Sequence, residues 1–178
     1  MGHRHTKEEI LEGALAAAIE DGLSQLTFGR LAKRLGINDR TIVYYFPSKD
    51  ELVSEVVVSM GLQLQDTLSK AFTKSADDHI QLLRVAWPAL ARPEVDPIFA
   101  LFFEANGLAA AGRDPFRSLV PMLVETWIEW TTAFLKGPAK RRRIEAETAI
   151  AVLDGLLLLR LLGGAAAAQR AARRLGVI

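Results

Sequence analysis

Apolar residues in this chain recur three and four positions apart almost from end to end, and no stretch alternates with the period of two that a half-buried strand needs. Stripes of that spacing can be buried only by packing helix on helix. The fold class expected is therefore all-α, with about nine helices. Each periodic stretch is also punctuated by residues whose chemistry starts or stops a helix. Thr6 and Glu9 have the Thr-x-x-Glu spacing of a capping box, and Ile10, Leu11, Ala14, Leu15, Ala18 and Ile19 line one face behind it. Asp21-Gly22 ends that helix, since glycine accepts the left-handed backbone of a helix terminus.

Two shorter helices follow. Thr27 caps one whose Phe28, Leu31, Ala32 and Leu35 sit at i, i+3, i+4 and i+7, and Gly36 stops it. Ile37 supplies an apolar plug, and Asn38 caps a third helix from about Asp39 to Phe46, ended by Pro47. Ser48-Lys49-Asp50-Glu51 reads as a second capping box, opening a fourth helix through Leu52, Val53, Val56 and Met60 towards Phe72. Beyond a polar break at 74–78, one helix is expected from about Ile80 to Ala91, kinked or ended by Pro88. The next begins at Pro93 or Pro97 and loses definition after Ala105. Asp114-Pro115 starts another that reaches Leu135, and a last long helix covers about Ala139 to Leu162, ahead of Gly163-Gly164 and an alanine-rich end.

Composition narrows the function classes. Half of the 178 residues are hydrophobic and 24% are charged, so the chain folds and buries a sizeable core. The absence of cysteine excludes disulfides and thiolate metal sites and fits a cytoplasmic location. The N-terminus lacks the apolar core of an export signal, and the longest apolar run, Ile150 to Leu162, carries Asp154 and Arg160 and is too short to span a bilayer. It reads as a buried helix, and no membrane partner is expected. His3 and His5 lie in an expected flexible tail, His79 stands alone, and no nucleophile elbow, phosphate loop or helical zinc pair occurs. No catalytic residue, metal site or cofactor is expected.

Charge is informative in its distribution. Residues 27 to 49 hold Arg30, Lys33, Arg34, Arg40 and Lys49 against Asp39 alone, whereas residues 51 to 135 hold six basic and eleven acidic side chains. Lys140 to Arg143 make the last third basic again, in what reads as a solvated helix start. A basic segment beside an acidic middle is what a phosphate-binding face produces. On charge alone, a solvated surface explains it equally well. The segment from Thr27 to Phe46 adds the logic of a helix-turn-helix: a short helix, a glycine turn, and a second short helix small enough for a major groove about 12 Å wide. Arg40, Thr41, Tyr44 and Tyr45 offer donors and flat rings, while Ile42 and Phe46, four apart, face inward.

The wording of this segment, Thr27-Phe28, Leu35-Gly36-Ile37 and Thr41-Ile42-Val43-Tyr44-Tyr45-Phe46-Pro47-Ser48-Lys49-Asp50-Glu51-Leu52, resembles the DNA-binding domain of the TetR family of regulators over about Ile10 to Val56. Val43 departs from the family's usual tyrosine and Tyr44 from its frequent histidine, which bears on the DNA sequence read and not on the fold. The resemblance implies a helix-turn-helix domain at 1–50 and a larger helical ligand-binding and dimerisation domain at 51–178, with the fourth helix as the link. It implies that Thr27, Tyr45 and Lys49 contact phosphates and that Arg40, Thr41 and Tyr44 approach base edges, with Asn38 alongside them at the helix start. A plainer alternative makes Tyr44 and Tyr45 half-buried packing aromatics.

A single half-site reader binds weakly, so a homodimer on a double-stranded DNA operator is expected. Ile150, Leu153, Leu157 and Leu161, with the small residues from Ala165 to Ala172, are the candidate interface, and the wording from Ala151 to Leu156 resembles the family's dimerising helix. The same helix would equally serve as the central core of a monomer. The family further implies a cavity for a small-molecule effector, for which Trp87, Phe99, Phe102, Phe103, Met122, Trp127 and Trp130 are the apolar candidates. Asn106 or Thr126 would orient the ligand, and Glu104 would favour a cation. An aromatic set at helical spacing also makes an ordinary core. The function expected is a repressor released by a mainly apolar ligand. The rivals are a regulator that activates and a helical protein-interaction module that binds no DNA.

Overall fold

The computed structural model describes residues 5–178. Among them are nine α-helices and no strand: α1 (Lys7–Asp21), α2 (Phe28–Leu35), α3 (Asp39–Tyr45), α4 (Lys49–Ala71), α5 (His79–Leu90), α6 (Asp96–Ala110), α7 (Phe116–Thr132), α8 (Ala139–Gly163) and α9 (Ala165–Arg174). A 3-10 turn, Leu23–Gln25, joins α1 to α2. No described helix is long and apolar enough to cross a membrane. The chain divides into two compact units, residues up to 62 with 100–120, and residues 63–99 with 121–178.

In the first unit the caps lie where the side chains dictate. Thr6 Oγ1 accepts from the Glu9 amide at 3.1 Å, and the Glu9 carboxylate accepts from the Thr6 amide at 3.0 Å, so two of the orphan donors at the start of α1 are satisfied reciprocally. The expected tail around His3 lies outside the described residues. His5 is held: its carbonyl accepts the Tyr45 hydroxyl at 3.2 Å, and its ring stands 3.5 Å from Glu9. Asn38 Oδ1 caps α3 by accepting from the Arg40 amide at 2.9 Å, and Ser48 Oγ accepts from the Glu51 amide at 3.1 Å. Gly36 takes φ +67°, the left-handed conformation that lets α2 turn sharply into α3. Ile10, Ala14, Leu23, Leu31, Ile42, Phe46, Leu52 and Val56, each at most 1% exposed, form the core beneath these turns.

In the second unit α8 packs on α5 and on α9. Leu83, Trp87 and Leu90 of α5, Ala146, Ala149, Leu156 and Leu157 of α8, and Ala168 and Ala172 of α9 are buried. An ion pair and a histidine–carboxylate contact fasten the helix starts. Asp96 takes Arg160 in a two-point grip at 2.6 and 2.9 Å, with Arg160 itself buried. Glu145 accepts from the His79 amide at 2.9 Å and lies 2.6 Å from His79 Nδ1, contacts that hold its carboxyl below the usual range.

α5 ends at Leu90, one residue from the expected end, having passed Pro88, since a proline in the last turn forfeits only one bond. Two other helix ends differ from expectation. α6 runs through Gly107 to Ala110, five residues beyond the point where its definition seemed to fade. α7 stops at Thr132, before Leu135, because the following backbone finds other partners: the Ala76 amide donates to Phe134 O and the Lys136 amide to Ala76 O, at 2.8 and 2.9 Å. The apolar run Ile150 to Leu162 is buried on one side only. Leu156 and Leu157 are inside, whereas Leu158, Leu159 and Leu162 are 39%, 37% and 81% exposed.

Asp154 lies on the same helix, and burial pushes its carboxyl up to about 6. A carboxyl whose folded pKa stands above its unfolded value of about 3.9 opposes folding only when ionised, so its cost is absent at low pH and grows as pH rises through the folded pKa. Asp154→Asn is expected to raise the urea midpoint at about pH 8 and to leave it unchanged at about pH 4.

Candidate nucleic-acid interface

α3 has seven residues, and its orientation follows from two of them. Ile42 and Phe46 are fully buried, which turns the opposite side of the helix to solvent. Successive side chains advance by about 100°. Tyr44 therefore marks the middle of the outer face, opposite the midline of Ile42 and Phe46, with Arg40 roughly 40° to one side and Val43 roughly 60° beyond Arg40, at the edge of that face. Arg40 is exposed, Tyr44 is 80% exposed and Val43 is 42% exposed. A guanidinium, a phenol and an isopropyl group thus share one arc. Val43, whose departure from the family's usual tyrosine bears on the DNA sequence read, was not among the expected DNA-contacting residues, and its helical offset of three from Arg40 is the signal that places it near them.

Thr41 and Tyr45 lie on the flanks and are half-buried. The Tyr45 ring meets Tyr44 edge to face at 5.0 Å between centroids, and its single hydroxyl donor goes to His5 O. Tyr45 thus braces α3 against the start of α1, and its proton is not free for a phosphate in this arrangement. Thr27 is exposed and its hydroxyl accepts from the Arg30 amide at 3.3 Å; a hydroxyl accepts and donates at once, so its proton is left for an external acceptor. Lys49 is exposed at the first position of α4. Asn38 is exposed too, with its carbonyl oxygen committed to the cap.

The other cations of the basic segment are partly engaged. Arg34 grips Glu20 at 2.6 and 2.7 Å, which holds the Glu20 carboxyl below its ordinary range. Arg30 donates to Gln25 Oε1 at 2.6 Å. Together with Asp21 and Lys33 they rim a shallow hollow beside α2.

Glu104, expected to favour a cationic ligand, has another occupation. Its carboxylate accepts from the Leu23 amide at 2.9 Å, the Ser24 amide at 3.1 Å and the Ser24 hydroxyl at 2.8 Å. α6 thereby caps the turn that leads into α2, across eighty positions of sequence. Gly22, just before the turn, has φ +89°, and a β-carbon there would stand 3.1 Å from the same carboxylate.

The candidate effector residues fall in both units. In the first, Phe102 and Phe103 of α6 pack edge to face at 5.2 Å, and Asn106 Oδ1 is buried with no hydrogen-bond partner. In the second, Trp87 and Phe99 are buried core residues, and Trp127 and Trp130 join Phe72 and Phe134 in an aromatic cluster with centroids 4.7–6.0 Å apart. Met122, 57% exposed, and Thr126 lie on the outer side of α7, and the Thr126 hydroxyl donates to the Met122 carbonyl at 3.0 Å. Of the candidate interface residues, Ile150, Leu153 and Leu161 are half-buried, but Leu157 is 1% exposed within its own chain and has no side chain to offer a partner. The outward face of α8 runs instead through Ala151, Gly155, Leu158, Leu159 and Leu162.

Removing the Glu104 carboxylate strands the amide of buried Leu23. Glu104→Ala is expected to lower the free energy of unfolding by about 1–3 kcal/mol in a urea titration, more than Ser24→Ala, which removes one hydroxyl donor alone.

Residues 10–56 match the model of a family described as bacterial regulatory proteins, tetR family. The chain is 25% identical over 159 residues to the nucleoid occlusion factor SlmA of Vibrio cholerae serotype O1, covering 88% of this chain and 78% of that protein. Its fold is similar to that of a TetR-family transcriptional regulator from Rhodococcus sp., with a TM-score of 0.74 and 16% identity over 95% of this chain and 96% of the other. It is similar as well to the multidrug binding protein EbrR complexed with proflavin, with a TM-score of 0.67 and 22% identity over 97% and 99% of the two chains.

Proposed function

We propose that this chain, whose residues 10–56 match the tetR family of bacterial regulatory proteins, is a DNA-binding transcriptional regulator of that family and acts as a homodimeric repressor released from its operator by a small, mainly apolar ligand. The observation that carries the reading is the outer face of α3, where Tyr44 is 80% exposed beside Arg40 while Ile42 and Phe46 hold the helix from behind. A phenol and a guanidinium side by side on the outer face offer the hydrogen-bonding groups that base edges require, and a major groove admits a helix of this size. Residues 1–50 serve as the reading domain and 51–178 as the regulatory and dimerising one. Arg40, Thr41 and Tyr44 approach base edges, and Thr27, Asn38 and Lys49 set the register through the backbone; Tyr45 contributes by bracing α3.

Dimerisation rests on α8. Leu158, Leu159 and Leu162 form an apolar strip that one chain leaves in water, with Ala151 and Gly155 allowing close helix approach. Two reading heads at a fixed separation convert weak half-site binding into an affinity useful in a cell. The effector reading takes support from the aromatic pair Phe102 and Phe103 of α6, from the buried oxygen of Asn106 on the same helix, and from EbrR, a similar fold seen with proflavin. Release requires that the ligand bind the DNA-incompetent dimer more tightly than the competent one. A second reading is favoured by the similarity to a nucleoid occlusion factor: a role in nucleoid occlusion in place of control of a single promoter. Sequencing the genomic fragments the protein retains separates the two, since a repressor enriches a few promoters and an occlusion factor enriches sites spread along the chromosome.

Two outcomes check the reading. Lys49→Ala is expected to weaken binding on all sequences alike and to reduce the slope of log affinity against log salt by about 1 in a gel-shift series. Leu162→Arg is expected to give folded monomers by sedimentation and to abolish tight operator binding, because a charge would have to be buried in the interface.

A further inference from the structure

We propose that Val43 reads a thymine in each half-site, its two methyl groups packing on the 5-methyl group of the base beside the one approached by Arg40. The inference rests on the DNA-binding reading above and goes beyond it by assigning a specificity residue and the base it selects. Single exposed apolar residues are common and by themselves mean little. Val43 differs in its place: it stands 42% exposed at the edge of the outer face of α3, roughly 60° round the helix from Arg40, while Ile42 and Phe46 supply the buried packing of that helix.

The chemistry of the groove leaves one suitable occupant. Base edges in the major groove present acceptors on guanine and adenine, amino donors on adenine and cytosine, and a single apolar group, the thymine methyl. A valine set against any of the polar edges strips water from a donor or acceptor and returns no hydrogen bond, which penalises those bases. Set against the methyl, it removes apolar surface from water on both sides. The side chain is also prepared for the task. Branching at the β-carbon leaves one strongly preferred rotamer in a helix, so the methyl pair points in a fixed direction and little freedom is lost on contact.

The test uses the full-length protein and the operator recovered from genomic fragments that it retains. Thymines are replaced by deoxyuridine one position at a time, symmetrically in both half-sites, and affinity is read by gel shift. The wild type is expected to lose about fourfold per half-site at one position, the worth of one buried methyl, and nothing at most others. Val43→Ala is expected to bind the thymine operator more weakly by a similar factor and to bind the thymine and deoxyuridine versions equally at that position. Val43→Thr, which keeps the branch and one methyl, retains part of the preference, and Lys49→Ala retains all of it. Affinities of the wild type within twofold for every deoxyuridine operator would overturn the assignment, and so would a thymine preference that survives unchanged in Val43→Ala. If the wild type retains no DNA at all, the DNA-binding reading falls and the thymine assignment with it, an outcome distinct from binding without methyl discrimination.

Discussion

Two side chains at zero exposure, Ile42 and Phe46, determine how this protein can meet its surroundings. α3 is too short to hold its own shape in water, where helices of fewer than about 12 residues are marginal. It exists because one side is locked into a core built from α1, α2 and the start of α4. The lock leaves no rotational freedom, so the identity of the outward residues follows from geometry: Tyr44 in the middle, Arg40 beside it, and Val43 beyond Arg40 at the edge. Recognition chemistry depends on that lock more than on any outward residue, since an outward change alters what is read whereas an inward change alters whether anything is presented.

What could be read from the sequence was the chemistry that acts within one turn of the chain. The Thr6–Glu9 box, the Thr27 and Asn38 caps and the Gly36 turn are all decided by residues within four positions of one another, and each lies where its side chains indicate. Contacts between distant residues left no such trace. The bond from Tyr45 to His5, the pair of Arg160 with Asp96, and the three bonds to Glu104 depend on which helices become neighbours. The end of α7 escaped for the same reason: its last turn loses to a pairing with Ala76, fifty-eight positions earlier by way of Phe134. Val43 was hidden differently. An apolar side chain at the edge of the outer face could turn either way, and the 42% exposure set by the burial of Ile42 and Phe46 settles it.

The second half of the chain shows why a nearly continuous apolar run is harder to interpret than an alternating one. Between Ile150 and Leu162 almost every position is apolar, so no periodicity separates the face that packs within the chain from the face that does not. In the structure the division is sharp. Leu156 and Leu157 are inside, and Leu158, Leu159 and Leu162 are out. A run of leucines states that a helix is buried somewhere, and neighbouring helices decide on which side.

The junction of Gly22 with Glu104 carries a consequence for how sequences of this kind can vary. Position 22 is closed to side chains on two separate grounds, a backbone angle that only glycine adopts without strain and a carboxylate 3.1 Å from where a β-carbon would stand. The same carboxylate serves the next two residues. Shortening the acid would make room but abandon the amides; keeping it obliges the carboxylate to give way to any side chain at 22. Position 22, eighty-two from position 104 in the chain, is therefore tied to that distant acid as well as to the angle of its own backbone.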